Sequence, residues 1–117
     1  MTLKPAEITE VEIARGFWSR FRGWMGRKPL PGTALLIYPC SSVHTFLMQA
    51  AIDVVFLNSE GRVVKLVEGL KPWRVSPVVL QSIAVLEMAA GDARKSGIRE
   101  GERLPSPLAE LTGNYFA

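Results

Sequence analysis

Residues 52–67 carry the strongest structural signal in the chain, two apolar runs joined by a short turn. The runs Ile52–Leu57 and Arg62–Val67 are rich in Val, Leu, Ile and Phe, which is typical of half-buried strands. Asn58 opens the joining segment and Gly61 closes it, as in a type I turn whose glycine takes a positive φ. The stretch therefore predicts a β-hairpin, and the rest of the chain must supply a sheet around it.

Further strands are predicted where apolar residues alternate or run together. These segments are residues 7–13, 33–38, 43–49, 78–88 and 103–104. Seven or eight short strands predict a mainly-β fold, a barrel or sandwich of the jelly-roll kind. One helical turn is expected at residues 90–97, with Asp92 as its N-cap and Gly97 after its end.

A short amphipathic helix is predicted at residues 14–25. Phe17, Phe21 and Trp24 are spaced so that they share one helical face, which would pack on the sheet. The surrounding basic residues suit a solvated face, and they leave open nucleic-acid binding or contact with a membrane surface. These basic residues are Arg15, Arg20, Arg22, Arg27 and Lys28.

Length and composition indicate a folded protein of one domain. The chain has 117 residues, of which 48% are hydrophobic, so it can bury a core. We expect a single domain over residues 1–117, with its core at about 7–104 and a peripheral tail at 105–117. No apolar run approaches the ~20 residues of a membrane span, and the N-terminus does not resemble a signal peptide. These features predict a cytoplasmic protein, unless a leader was removed.

Several motifs, taken in order, resemble one protein family. They are Arg-Gly-Trp-Met-Gly-Arg at 22–27, His-Thr-Phe-Leu-Met at 44–48, Ile-Asp-Val-Val-Phe-Leu at 52–57, Val-Leu-Glu at 85–87, and Ala-Gly at 90–91 with Gly-Ile at 97–98 and Gly101. This set is similar to DUF192, a widespread prokaryotic family of unknown function. The resemblance implies a compact, β-rich, jelly-roll-like or barrel-like domain. It implies no activity, substrate or cofactor.

Cys40, His44 and Met48 raise the question of a soft-metal site. Thiolate, imidazole and thioether ligands together suit an ion such as Cu(I). On a helix, residues four apart would lie on one face, but on a strand they lie ~13 Å apart and cannot share an ion. Because a strand is predicted here, we favour a buried cysteine, a hydrogen-bonded histidine and a core methionine, with no metal.

Asp53 and Glu87 are carboxylates set among apolar residues. Each must be paired or hydrogen-bonded in a folded protein, or its pKa must rise. Arg22, Arg27 and His44 are the candidate partners. One interpretation is that each carboxylate fixes a loop or an arginine. The other is that the carboxylates and His44 converge on a polar pocket in an apolar wall.

The sequence favours a non-catalytic binding domain for a small molecule, peptide or partner protein. The alternative is a small hydrolase in which Asp53 and Glu87 act as an acid–base pair. No nucleophile-elbow, phosphate-loop or dinucleotide motif is present to support an enzyme. Nucleic-acid binding by the basic segment remains a further hypothesis. The candidate ligand-binding residues are His44, Met48, Asp53, Glu87, Arg22 and Arg27.

Overall fold

The computed structural model describes residues 8–14, 16, 23–27 and 30–113. Within them, five strands form one mixed sheet in the order β1-β2-β5-β3-β4. β1 and β2 are parallel, and the other neighbours are antiparallel. The elements are β1 (Glu10–Ala14), β2 (Thr33–Ile37), β3 (Ile52–Leu57), β4 (Val63–Leu70), β5 (Ala84–Ala89), α1 (Asp92–Lys95) and α2 (Leu108–Thr112).

The predicted hairpin is confirmed as β3 and β4. The Asn58 side chain accepts hydrogen bonds from the backbone amides of Glu60 and Arg62, at 2.9 and 3.0 Å. Gly61 donates its N–H to the Asn58 carbonyl and has a φ of 75°. The turn therefore depends on an asparagine that satisfies loop amides and on a glycine that tolerates positive φ.

The sheet buries both of its faces, and β3 is buried along its whole length. On one side, here called the helix face, Val55 and Leu86 pack with Ala93 of α1 and Leu108 of α2. On the other side, the loop face, Val54 and Val85 are covered by residues outside any helix or strand. These include Trp24, Val43 and Met48. Because side chains alternate between the two faces along each strand, the strands contribute to two separate hydrophobic cores.

Buried hydroxyl groups allow loops to cover the loop face. The Ser76 hydroxyl accepts the backbone N–H of Val43 at 2.9 Å. The Ser82 hydroxyl lies within hydrogen-bonding distance of two backbone carbonyls, those of Cys40 (3.1 Å) and Ala84 (2.9 Å). Covering loops bring backbone polar groups against the core, where an unpaired group is costly, and these hydroxyls satisfy several of them.

The outer edge of β4 is contacted by residues that follow α1. The Glu100 carboxylate accepts the backbone N–H of Leu66 at 2.8 Å. The Val63 amide donates to Glu102, and the Gly101 amide donates to Val63, at 2.9 and 2.7 Å. The edge is therefore partly paired within the chain.

The mainly-β prediction is confirmed, but the sheet does not close into a barrel, and within residues 8–14, 16, 23–27 and 30–113 no second sheet forms a sandwich with it. Residues 43–49, predicted as a strand, pair only through an isolated bridge at His44, and 103–104 only through one at Arg103. Leu47 has a φ of 61°, which ends any extended run. The tail after Pro105, predicted to be peripheral, contains α2, with Pro107 at its N-cap. Asp92 is the first residue of α1, and Gly91 is its N-cap.

The predicted N-terminal helix falls mostly on residues 15 and 17–22, which lie outside the described part of the chain. Ala14 belongs to β1, and residues 23–26 form a turn. Among the described residues, no helix is long and apolar enough to cross a membrane. Both helices that the structure describes lie at the C-terminal end of the chain.

The hairpin turn gives a first prediction. Gly61→Ala should lower the free energy of unfolding by about 1 kcal/mol, because a positive φ strains the backbone of alanine but not that of glycine. Ser59→Ala, at an exposed position of the same turn, should change it by less than about 0.5 kcal/mol. Urea unfolding of both variants measures the difference. Equal losses would show that the turn does not require a left-handed residue.

Candidate functional site

Asp53 lies on the helix face, where its carboxylate accepts three backbone hydrogen bonds. Oδ1 accepts from Gly69 at 2.9 Å, and Oδ2 accepts from Gly91 at 2.9 Å and from Ala93 at 3.0 Å. The side chain is buried beside the first turn of α1. Both oxygens are engaged by main-chain donors, so Asp53 joins β4 and the start of α1 to β3.

Glu87 lies on the opposite face of the sheet from Asp53. In the register of β3 and β5, Val54 pairs with Glu87 and Asp53 pairs with Met88. Val54 belongs to the core of the loop face, and Met88 to that of the helix face. The two carboxylates are therefore separated by the sheet and form no common pocket or acid–base pair.

The Glu87 carboxyl group is fully buried against the turn at residues 23–26. A β-carbon on Gly23 would lie 2.8 Å from Oε1, so the turn approaches this closely only because residue 23 is glycine. The indole N–H of Trp24 donates to the backbone carbonyl of Glu87 at 3.3 Å. Oε1 has no hydrogen-bond partner among the described residues.

Burial raises the pKa of Glu87 to about 8, and a hydrogen bond from the Trp24 backbone opposes this shift. Desolvation disfavours the charged form of a carboxyl group, and no cation among the described residues compensates for it. Glu87 is therefore mostly protonated at neutral pH and is a neutral member of the loop-face core.

Arg27 extends from the same turn but does not pair with Glu87. Its Nη1 contacts Oε2 of Glu12 at 3.3 Å, and its Nη2 donates to the Gly23 carbonyl at 3.4 Å. The guanidinium carbon lies 4.5 Å from the centre of the Trp24 ring, a cation–π geometry. Arg27 therefore holds β1 and the turn together. Arg22, also predicted as a ligand-binding residue, lies outside the described residues.

His44 is half-buried and belongs to a cluster of side chains on the outside of the covering loops, whose other members are exposed. Its ring centre lies 5.2 Å from that of Phe46, which lies 6.0 Å from that of Trp73. Leu47 is 54% exposed and Trp73 59%. We call His44, Phe46, Leu47 and Trp73 the aromatic patch. Its members come from two loops that are far apart in sequence.

Two members of this patch have unusual backbone conformations. Leu47 has a φ of 61° and Trp73 a φ of 65°, and they are the non-glycine residues with positive φ in the described part of the chain. Each positive φ raises the free energy of the folded protein by about 1–2 kcal/mol relative to an ordinary backbone conformation. The strained backbone holds large apolar side chains in solvent, where they add little to the core.

Thr45 fixes the two loops against each other. Its hydroxyl lies 2.6 Å from the Lys71 carbonyl and accepts the backbone N–H of Arg74 at 2.8 Å. Its backbone carbonyl accepts the N–H of Trp73 at 2.9 Å. The side chain is completely buried. Sequence reasoning did not select Thr45, since its only signal was its place inside the motif at 44–48.

Met48 is buried in the loop-face core beneath the patch, and Cys40 donates its thiol hydrogen to the Ser42 carbonyl at 3.1 Å. Among the described residues, no three His, Cys, Asp or Glu side chains come close enough to hold a metal ion.

Of the six predicted ligand-binding residues, His44, Met48, Glu87 and Arg27 lie on the loop-face side, and Asp53 does not.

A model of the DUF192 family, described as "Uncharacterized ACR", matches residues 1–106. The chain belongs to the DUF192 family. It is 37% identical over 100 residues to a UPF0127 protein of Pyrococcus furiosus, covering 81% of this chain and 84% of the relative. It is 36% identical over 101 residues to a UPF0127 protein of Pyrococcus abyssi, again covering 81% and 84%. The resemblance noted from the motifs is confirmed.

Solved structures similar to this DUF192 chain support its fold. A protein of unknown function from Novosphingobium aromaticivorans matches with a TM-score of 0.72 and 23% identity, over 80% of this chain and 71% of the other. A proposed transcription regulator from Sinorhizobium meliloti matches with a TM-score of 0.71 and 24% identity, over 81% and 79%. At this level of identity, the similarity shows the fold alone.

Asp53 gives a second prediction. Asp53→Asn should lower the free energy of unfolding by about 2–4 kcal/mol, because the amide that replaces one oxygen would face backbone donors. Asp92 is a matched control, since it is also buried but accepts a single hydrogen bond from the described residues, from the Gly32 N–H at 3.1 Å. Asp92→Asn should cost about 1 kcal/mol or less in the same urea titration. A cost at Asp92 equal to that at Asp53 would contradict the prediction.

Glu87 gives a third prediction. The folded protein retains the Glu87 proton up to a pKa of about 8, whereas the unfolded chain loses it near the ordinary glutamate pKa of 4.5. The resulting stability is fully present below pH 4.5 and is lost as the pH rises to 8. The loss is about 1.4 kcal/mol per pH unit within that window.

Glu87→Gln should abolish this loss, because glutamine is neutral throughout and has nearly the same shape. Urea unfolding across the window measures the slope. Glu10→Gln, which changes an exposed carboxylate on β1, should keep the wild-type slope. If the free energy of unfolding fell equally with rising pH in wild type and in Glu87→Gln, the pH dependence would not come from the Glu87 proton.

Proposed function

We propose that this protein is a non-catalytic binding domain and that the aromatic patch contacts its ligand. The observation that carries the proposal is the positive φ of Leu47 and Trp73, whose apolar side chains are both exposed. Backbone strain persists where the surrounding structure enforces it and is concentrated at functional sites. Neither stability nor solubility accounts for two strained residues that present large apolar groups to water.

The rigidity of the loops supports the same function. Thr45 fixes the Trp73 loop, and the Leu47 carbonyl accepts the Gly26 N–H at 3.0 Å, which connects the patch to the turn above Glu87. A surface ordered in this way before binding loses less conformational entropy when it binds. Tryptophan and other aromatic residues are also the side chains that contribute most to binding energy at protein interfaces.

The two alternative functions have less support. The acid–base hypothesis requires Asp53 and Glu87 to meet at one substrate, yet they lie on opposite faces of the sheet. The nucleic-acid hypothesis depends on the segment from Arg15 to Lys28. Within the described part of that segment, Arg27 is engaged with Glu12 and Trp24. Binding at the aromatic patch is therefore the function that we propose.

Trp73→Gly tests the proposal, because it removes the side chain and relieves the strain together. Glycine accepts a φ of 65° freely, so the free energy of unfolding should stay within about 1 kcal/mol of wild type. Binding of fragments selected by an NMR screen of small aromatic and aliphatic compounds should weaken about tenfold or more.

Leu80→Ala is the control for this test. Leu80 is 90% exposed in the same loop and lies outside the aromatic patch, so its loss should leave fragment binding unchanged. If fragments bind elsewhere, or bind Trp73→Gly as well as wild type, the proposed surface is wrong. A loss of several kcal/mol of stability in Trp73→Gly would show instead that Trp73 is a structural residue.

A further inference from the structure

The two loops that form the aromatic patch contain no acidic residue. Residues 38–51 and 71–83 include neither Asp nor Glu, whereas Lys71 and Arg74 lie on either side of Trp73 in the sequence. Both cations are exposed, and neither forms an ion pair within the described residues. Arg74 Nη1 lies 3.4 Å from the Trp73 carbonyl, which keeps the guanidinium beside the patch. The surroundings of the patch are therefore basic and uncompensated.

Val75 offers main-chain groups at the edge of the same surface. It is bridged to His44, and the flanking residues supply the hydrogen bonds: Thr45 N–H to Arg74 at 2.7 Å and Ser76 N–H to Val43 at 2.8 Å. In this antiparallel pattern the N–H and C=O of Val75 point away from His44. Among the described residues neither group has a hydrogen-bond partner, and the side chain is 60% exposed.

These features point to a polypeptide as the ligand. A small molecule would be held by a pocket, whereas here the apolar side chains, the cations and the main-chain donor and acceptor are spread along an open surface. An extended peptide can use all three, since it supplies side chains on alternate sides and an N–H and C=O at each residue. A membrane surface could use the cations and apolar groups but not the main chain of Val75.

We propose that the aromatic patch binds an extended segment of a partner protein that carries an acidic residue close to a large apolar one. This inference rests on the proposed function and names its ligand. The apolar side chain packs on Phe46 and Trp73, the carboxylate meets Lys71 or Arg74, and the main chain pairs with Val75. Complementary charge selects the partner and accelerates its association, and apolar contact supplies most of the affinity.

Selection from a library of random, phage-displayed decapeptides tests the inference. We expect enrichment of sequences that combine Asp or Glu with Trp, Phe or Leu. The tightest peptide, measured by fluorescence polarisation, should bind the double variant Lys71→Glu/Arg74→Glu at least about tenfold more weakly. N-methylation of the peptide, one residue at a time, should abolish binding at the position that donates to the Val75 carbonyl.

A charge-matched control separates local recognition from net charge. Lys95→Glu/Arg99→Glu changes the total charge equally, at exposed positions in and just after α1, and should bind the peptide like wild type. If both double variants lose binding equally, the attraction is non-specific and the inference fails. If no N-methylation weakens binding, the main-chain contact to Val75 is wrong.

The remaining outcomes distinguish the inference from the proposed function. Selected peptides that lack acidic residues but fail to bind Trp73→Gly would overturn the acidic partner and leave the proposed surface standing. Peptides that bind Trp73→Gly normally would overturn both. If no peptide is enriched, while vesicles of phosphatidylcholine and phosphatidylglycerol sediment wild type but not Lys71→Glu/Arg74→Glu, the surface contacts membranes and the peptide inference is wrong.

Discussion

The requirement to cover both faces of one sheet determines most of this structure. β3 is buried on each side, yet the described helices are short and lie on a single face. In the part of the chain that the structure describes, loops cover the other face, and their main-chain groups must be satisfied where water is excluded. Thr45, Ser76 and Ser82 do this with buried hydroxyls. The same arrangement leaves the outer side of those loops free to carry Phe46 and Trp73.

The two buried carboxylates show how different surroundings give one residue class different roles. Asp53 meets three backbone donors, so its carboxylate joins two neighbouring segments to β3. Glu87 meets an apolar core and a glycine, so the neutral form is the stable one in the folded protein. Adjacent side chains of a strand point to opposite faces of the sheet. A difference of one residue in the pairing of β3 with β5 therefore places Asp53 and Glu87 in these two environments.

The sequence was sufficient to predict the hairpin, β2 and β5, because their apolar runs and the Asn58–Gly61 turn are local signals. It also identified Asp53 and Glu87 as buried carboxylates. It could not show that they point apart, since this depends on the pairing of Asp53 with Met88, which is a long-range property. The left-handed conformations of Leu47 and Trp73 have no local signal, because packing and loop hydrogen bonds enforce them against propensity. The aromatic patch was therefore outside the reach of pattern analysis, apart from His44.

The hydrogen bond from Leu66 of β4 to the Glu100 carboxylate limits how molecules of this protein can associate. A strand from a second molecule could extend the sheet at β4 only by displacing that carboxylate from Leu66 and residues 101–102 from Val63. Displacement would expose a charge to an incoming main chain and break hydrogen bonds that the chain already makes to itself. Residues 100–102 thus protect this edge against pairing with a strand of another molecule. A second molecule can therefore pair with β4 only after these hydrogen bonds within the chain are broken.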